Sequence, residues 1–197
     1  MKPRLGIGFV VGLLLLHAPV VGAATYTVDQ DHTTVEFKIH HLLSYVRGTF
    51  NQFEGQFDYA PDHPEQWKAS ATIQASSIDT RVEKRDTHLR SPDFFDAEHY
   101  STLTFTSTEV TDVTPTHAKL HGVLTLHGVQ KPVVLDLTIH GVTKDPWGHV
   151  RASFTATTTI NRKEFGLTWN KVLETGQLLV GEDVEIVLEI EGIEKTS

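Results

Sequence analysis

Apolar and polar residues alternate with a period of two along most of this chain. Val35, Phe37 and Ile39 alternate with Thr34, Glu36 and Lys38, and Trp67, Ala69, Ala71, Ile73 and Ala75 alternate with Lys68, Ser70, Thr72 and Gln74. The pattern recurs at Leu103 and Phe105, at Leu120, Leu124 and Leu126, and at Val133, Leu135, Leu137 and Ile139. It returns at Phe154, Ala156, Thr158 and Ile160, and at Val184, Ile186, Leu188 and Ile190. Successive side chains of a strand point to opposite faces, so each run predicts a strand with one dry and one wet face. Clusters of turn-forming residues at 61–64, 112–115, 128–132 and 145–148 separate the runs, and links this short imply antiparallel neighbours.

One segment breaks phase. In VRGTFNQFEGQF, Phe50 is even-numbered whereas Phe53 and Phe57 are odd, which predicts a β-bulge near Gln52. A bulged long strand and meander-like links favour an all-β antiparallel barrel of about eight strands over a two-sheet sandwich. No internal repeat, low-complexity tract or linker divides residues 25–197, so a single domain is expected there.

Composition narrows the setting. Residues 1–24, MKPRLGIGFVVGLLLLHAPVVGAA, place Lys2 and Arg4 before an apolar run that ends on small residues, the pattern of a cleaved signal peptide. His17 and Pro19 interrupt that run, which falls short of the roughly 20 residues of a spanning helix. The expectation is an exported, periplasmic protein with no stable membrane span in the mature chain. The formal charge is −8, with no basic cluster to meet a phosphate backbone, which argues against nucleic acid as a partner. The absence of cysteine excludes disulfides, thiolate metal sites and covalent c-type haem. A homodimer is compatible with an exposed edge or open mouth, although no residue pattern compels it.

The stretch SSIDTRVEKRDTHLRSPDFFDAEHY departs from the strand pattern. Thr80 and Glu83 have capping-box spacing and predict a helix starting near Thr80, which Pro92 ends at Ser91. Ser91, Pro92 and Asp93 resemble a second helix start, followed by Phe94 and Phe95. Ile78, Val82 and Leu89 give the helix only a narrow apolar stripe. It is therefore expected to lie across one end of the barrel and drive the aromatic pair into the opening, as a lid or plug.

This block, with HTTVEFKIHH, VRGTFNQFEG, LTLHGVQKPVVLDL and NRKEFGLTWN, closely resembles the YceI-like family of exported bacterial proteins over essentially all of residues 25–197. The resemblance implies a lipocalin-like barrel whose apolar lumen holds an amphiphilic lipid such as a polyisoprenoid or an isoprenoid quinone. Periodicity by itself is equally served by a filled barrel, in which case the protein is an exported stress or interaction protein without a ligand. An enzyme acting on a bound isoprenoid is a third reading.

The expected lumen residues are Val35, Phe37, Ile39, Phe53, Phe57, Ile73, Leu103, Phe105, Leu120, Leu124, Leu126, Leu135, Leu137, Ile139, Phe154, Ile186 and Leu188, joined by Phe94, Phe95, Phe165 and Trp169. Candidates for contact with a polar head are Arg81, Arg85, Asp86, His88, Asn161 and Arg162; an intrahelical ion-pair face serves the helical ones equally well. No metal site, catalytic residue or cofactor other than such a lipid is expected. His40 and His41 project to opposite faces, His121 and His127 are about 20 Å apart along an extended strand, and neither a G-x-S-x-G nor an H-E-x-x-H motif occurs.

Overall fold

The computed structural model describes residues 22–196. The expected signal peptide lies mostly outside the described residues; only its last three, from Gly22, fall within them. The strand segments are β1 (Ala24–Val28), β2 (Thr34–His41), β3 (Ser44–Phe50), β4 (Phe53–Tyr59), β5 (Lys68–Gln74) and β6 (Ile78–Asp79). Helix α1 (Glu83–Arg90) follows, and then β7 (Thr102–Thr111), β8 (His117–Leu126), β9 (Val129–Lys144), β10 (Val150–Asn161) and β11 (Val180–Glu194).

Eleven segments make eight staves of a closed antiparallel barrel. β1 and β2 lie end to end along β11, with Tyr26 opposite Glu194 and Val35 opposite Leu188. At the break between them the Thr33 hydroxyl donates to the Glu191 carbonyl and accepts from the Glu191 amide, so a side chain replaces the missing ladder rung. β3 and β4 form a second stave, interrupted at Asn51 and Gln52 where the phase slip predicts a bulge. β5 and β6 form the third, interrupted by a 3-10 turn at Ala75–Ser77. The last two breaks face each other: the Asn51 amide donates to the Ser77 carbonyl and the Gln74 amide to the Gln52 carbonyl. Two neighbouring staves thus bend together with their backbone groups still satisfied, which lets a twisted sheet curl shut.

The turn expected at 128–132 is tighter than that. His127 and Gly128, at φ 52° and 72°, form a two-residue hairpin, and β9 begins at Val129. Pro132 is therefore a strand residue, opposite Val123 of β8. It fits because β10 pairs with β9 only from Asp136 onward, so at Pro132 no ladder bond is required on the β10 side. The 3-10 turn Arg162–Phe165 packs beside that stretch and buries Phe165 to 1 % exposure.

Side chains gather into two cores. Tyr26, Phe57, Tyr59, Trp67 and Phe154 close one end, with Tyr26 stacked on Phe57 at 5.1 Å and Phe154 edge-on to Phe57 and Tyr59 at 5.4 and 5.0 Å. Phe50, Ile78, Leu126, Ile160, Phe165 and Leu167 form the second, against which Leu89 and Phe95 pack. Arg151 ties β1, the β9–β10 turn and β11 together by donating to Asp29 (2.7 Å), Asp145 (2.8 Å) and Glu191 (2.5 Å). Burial pushes the Asp145 carboxyl up, but hydrogen bonds from Arg151, the His149 amide and ring, and the Trp147 amide outweigh it and hold the group well below the ordinary carboxylate range. Asp29 is lowered by the same balance, with Arg151 and His32 as donors.

Carboxyls depressed on folding stabilise the native state above their unfolded value of about 3.9, and that contribution is lost as pH falls through the lower native value. Arg151→Met leaves three carboxylates without their guanidinium. Its melting temperature is expected to fall well below wild type at pH 7, with the deficit shrinking under acid conditions as the carboxyls protonate. A deficit of constant size across pH would show that packing, not charge, is what Arg151 supplies.

Candidate functional site

Between the two cores the barrel encloses a cavity of about 620 Å³, within the range of small-molecule sites. Its wall is overwhelmingly apolar. β2 contributes Val35, Phe37 and Ile39, β4 contributes Phe53 and Phe57, and β5 contributes Ile73. Leu103 and Phe105 come from β7, Leu120, Leu124 and Leu126 from β8, Leu135 and Leu137 from β9, and Ile186 and Leu188 from β11. Phe94, Phe95 and Trp169 complete the part of the expected set that lines the space.

Three residues of that set do not line it. Ile139 and Phe154 have the inward parity but are buried in the closed-end core, 8 % and 7 % exposed. Phe165 is buried in the second core and does not line the cavity. Conversely, the wall includes Val46, Leu167, Leu179, Val180 and Ile190, which were not anticipated. Ile190 shares the parity of Ile186 and was legible; Leu167 and Leu179 lie in irregular chain, where periodicity carries no signal.

Several cavity-wall rings lean on glycines. A Cβ on Gly48 would fall 2.4 Å from the Phe37 ring, one on Gly122 2.4 Å from Phe105, and one on Gly192 2.6 Å from Phe57. Each ring lies over backbone that only glycine leaves clear.

The helical block is built differently from its capping-box spacing. Val82 is the N-cap residue of α1 and makes no side-chain cap, and Arg81 adopts a left-handed conformation at φ 65°. Thr80 is recruited elsewhere: its amide and hydroxyl both donate to buried Asp86, at 2.9 and 2.5 Å. Arg85 then donates through Nε to the Thr80 hydroxyl and through Nη2 to the Thr80 carbonyl. Arg90 clips the helix to the barrel through the carbonyls of Ser76 and Ile78. A second helix does not form at Ser91; Ser91 caps α1 at its C-terminus, its hydroxyl donating to the His88 carbonyl, and turns follow. The lid expectation survives in altered form. Val82, Lys84, Arg85, His88 and Leu89 face the cavity with the Phe94–Phe95 pair; the His88 ring meets Phe94 and Trp169 edge-on, and all three ring centroids lie within 4.9–5.1 Å of one another.

Of the six head-group candidates, the structure brings Arg85, His88 and Arg162 to the cavity wall. Arg81 is exposed on its turn, Asp86 is buried beneath the helix, and the Asn161 side chain accepts the Lys163 amide, so these three lie apart from it. Arg162 is 3 % exposed and donates through Nε to the Gly181 carbonyl (2.8 Å) and through Nη1 to the Leu167 carbonyl (2.5 Å). Asp29, His32 and Glu191 bring potential ligand atoms within 4.8 Å of one another, but Arg151 already supplies the positive charge there.

A closed antiparallel barrel around one apolar cavity, roofed by a short helix, defines a cavity-bearing β-barrel protein. A family model described as the YceI-like domain matches residues 26–192, and the chain belongs to that family. It is 41 % identical to a UPF0312 protein of Ectopseudomonas mendocina over 91 % of this chain and 95 % of the relative. A UPF0312 protein of Shewanella baltica is 37 % identical over 99 % of this chain and all of its own. Among solved structures, the Campylobacter jejuni YceI protein superposes with a TM-score of 0.70 at 32 % identity, covering 80 % of this chain and 90 % of its own. At 16 % identity, a polyisoprenoid-binding domain from Saccharophagus degradans shares the fold with a TM-score of 0.65, over 88 % and 99 % of the two chains.

Asp86 joins the helix to Thr80 and does not reach the cavity, so its role is to hold the lid. Asp86→Ala strips a buried amide and hydroxyl of their acceptor and is expected to cost about 1–3 kcal/mol in denaturant unfolding. Arg81→Ala, on the exposed turn, should stay within about 0.5 kcal/mol. Similar losses for both would remove Asp86 from this role.

Proposed function

We propose that this protein binds an amphiphile with a long apolar tail, such as a polyisoprenoid or an isoprenoid quinone, and sequesters or carries it after export to the periplasm. The observation that carries this reading is the cavity: about 620 Å³ of almost wholly apolar space inside a barrel that a folded chain has every reason to fill. The polyisoprenoid-binding domain of Saccharophagus degradans, which shares the fold, supports the same class of ligand. The signal-peptide pattern of residues 1–24 supports export.

Burying hydrocarbon releases about 0.8 kcal/mol per CH2, so a five-carbon isoprene unit contributes roughly 3 kcal/mol before the costs of association. A few units suffice for tight binding. In this reading the dry interior takes the tail by its apolar character, and Arg85, His88 and Arg162 on the cavity wall support contact with the head.

Native mass spectrometry of the protein purified from an exported fraction, followed by organic extraction, is expected to reveal a stoichiometric lipid. Leu124→Glu sets a carboxylate into the apolar wall and should abolish retention, because an unpaired charge is costly to bury. Thr125→Ser, on the other face of β8, should retain it. A bare polypeptide mass that persists after incubation with polyisoprenoids, or equal retention by the two variants, would overturn the lumen as a lipid site.

A further inference from the structure

We propose that the head group of the bound amphiphile is an oxyanion, a phosphate or a carboxylate, and that the Arg162 guanidinium receives it. The inference rests on the lipid-binding reading above and specifies the chemistry of the head. It starts from a polar atom with nothing to bond. Arg162 Nη2 is buried and has no hydrogen-bond partner among the described residues, on a side chain that forms part of the cavity wall.

The two carbonyl contacts, from Nε to Gly181 and from Nη1 to Leu167, fix the plane of the guanidinium and leave Nη2 as its free corner. Nor is its charge matched. No carboxylate among the described residues forms an ion pair with Arg162; Glu182, whose charge influences it, is bonded to Lys163. Burial pushes the Arg162 pKa down, partly offset by Glu182, yet arginine starts so high that the group stays cationic at neutral pH. A buried cation with an unused donor costs free energy until an acceptor of opposite charge arrives.

Two further cations stand on the cavity wall. Lys84 and Arg85 of α1 also line the cavity and neither is paired with a carboxylate among the described residues, whereas His88 on the same wall is hydrogen-bonded to Asp93 at 2.8 Å. The wall's carboxylates, Glu36 and Glu54, are on β2 and β4 and pair with none of these groups. A neutral alcohol or quinone carbonyl would satisfy a hydrogen bond here but leave the charge uncompensated. A phosphate or carboxylate answers both, and the planar fork of arginine suits either.

The test compares matched head groups on the full wild-type protein, by calorimetry and by quenching of Trp169 on the cavity wall. Geranylgeranyl phosphate against geranylgeraniol, and palmitate against hexadecanol, should each show the anion binding at least about tenfold more tightly, as expected of a charge-assisted hydrogen bond. Whichever pair shows the larger ratio separates phosphate from carboxylate as the head. Arg162→Gln should bring the ratio towards one. Should that variant fail to fold, the Arg162 guanidinium nitrogen resonances of the wild type serve instead, shifting with the anion and not with the alcohol. Equal wild-type affinities for anion and alcohol would overturn the oxyanion while leaving the lipid cavity standing. A ratio that survives Arg162→Gln, or unmoved Arg162 resonances, would overturn Arg162 as the receiver. No binding of any probe would take the lipid reading down with it.

Discussion

β11 closes the barrel, and the cavity exists because it does. This strand pairs with β10 on one side and with both β1 and β2 on the other. A sheet with an open edge must hide that edge or leave backbone donors and acceptors to water, and a ring of staves has neither problem. Closure turns strand alternation into an inside and an outside. Bending the staves tightly enough to close costs ladder bonds, and the chain concentrates those losses at matched breaks where Thr33, Ser77 and Gln52 supply substitutes. The interrupted staves are therefore part of how the barrel closes.

With the ring closed, stability and binding make opposite demands on the interior. Packed cores resist voids, because side chains beside empty space lose dispersion contacts. Here the packing is placed at the ends: an aromatic cluster of Tyr26, Phe57, Tyr59, Trp67 and Phe154 at one, and Phe50, Ile78, Leu126 and Phe165 beneath the helix at the other. Arg151 adds a charged clasp joining three elements outside the lumen. The middle can stay open because these regions carry the burden of folding. The helix is clipped down by its own charged residues, through Asp86 to Thr80 and Arg90 to the carbonyls of Ser76 and Ile78.

The strands, their inward faces and the bend at Gln52 were legible because alternation and phase are written in consecutive residues. Eleven segments reading as about eight strands is the same fact, since a broken stave keeps its parity on either side of the break. Depth along the barrel was not legible. Ile139 and Phe154 point inward like Leu137 and Leu188, and only their height relative to the aromatic cluster takes them out of the cavity. Nor could spacing reveal tertiary competition for a side chain. Thr80 has a capping-box partner in Glu83 but folds against Asp86, because a left-handed Arg81 turns it away from the helix start. Arg162 was visible as a candidate, whereas its unpaired Nη2 emerges only once Gly181 and Leu167 have taken the other nitrogens.

The rings resting on Gly48, Gly122 and Gly192 also tie the shape of the cavity to residues outside its wall. Phe37 and Phe105 can lie flat because the neighbouring strand has no Cβ beneath them, as Phe57 can over Gly192 two strands away, and a single methyl at any of these glycines would force the ring to shift. The shape of the cavity is thus adjustable by one-carbon changes on backbone that does not itself line it. Barrels of the same fold can therefore diverge in the shape of their cavity while the residues of its wall stay the same.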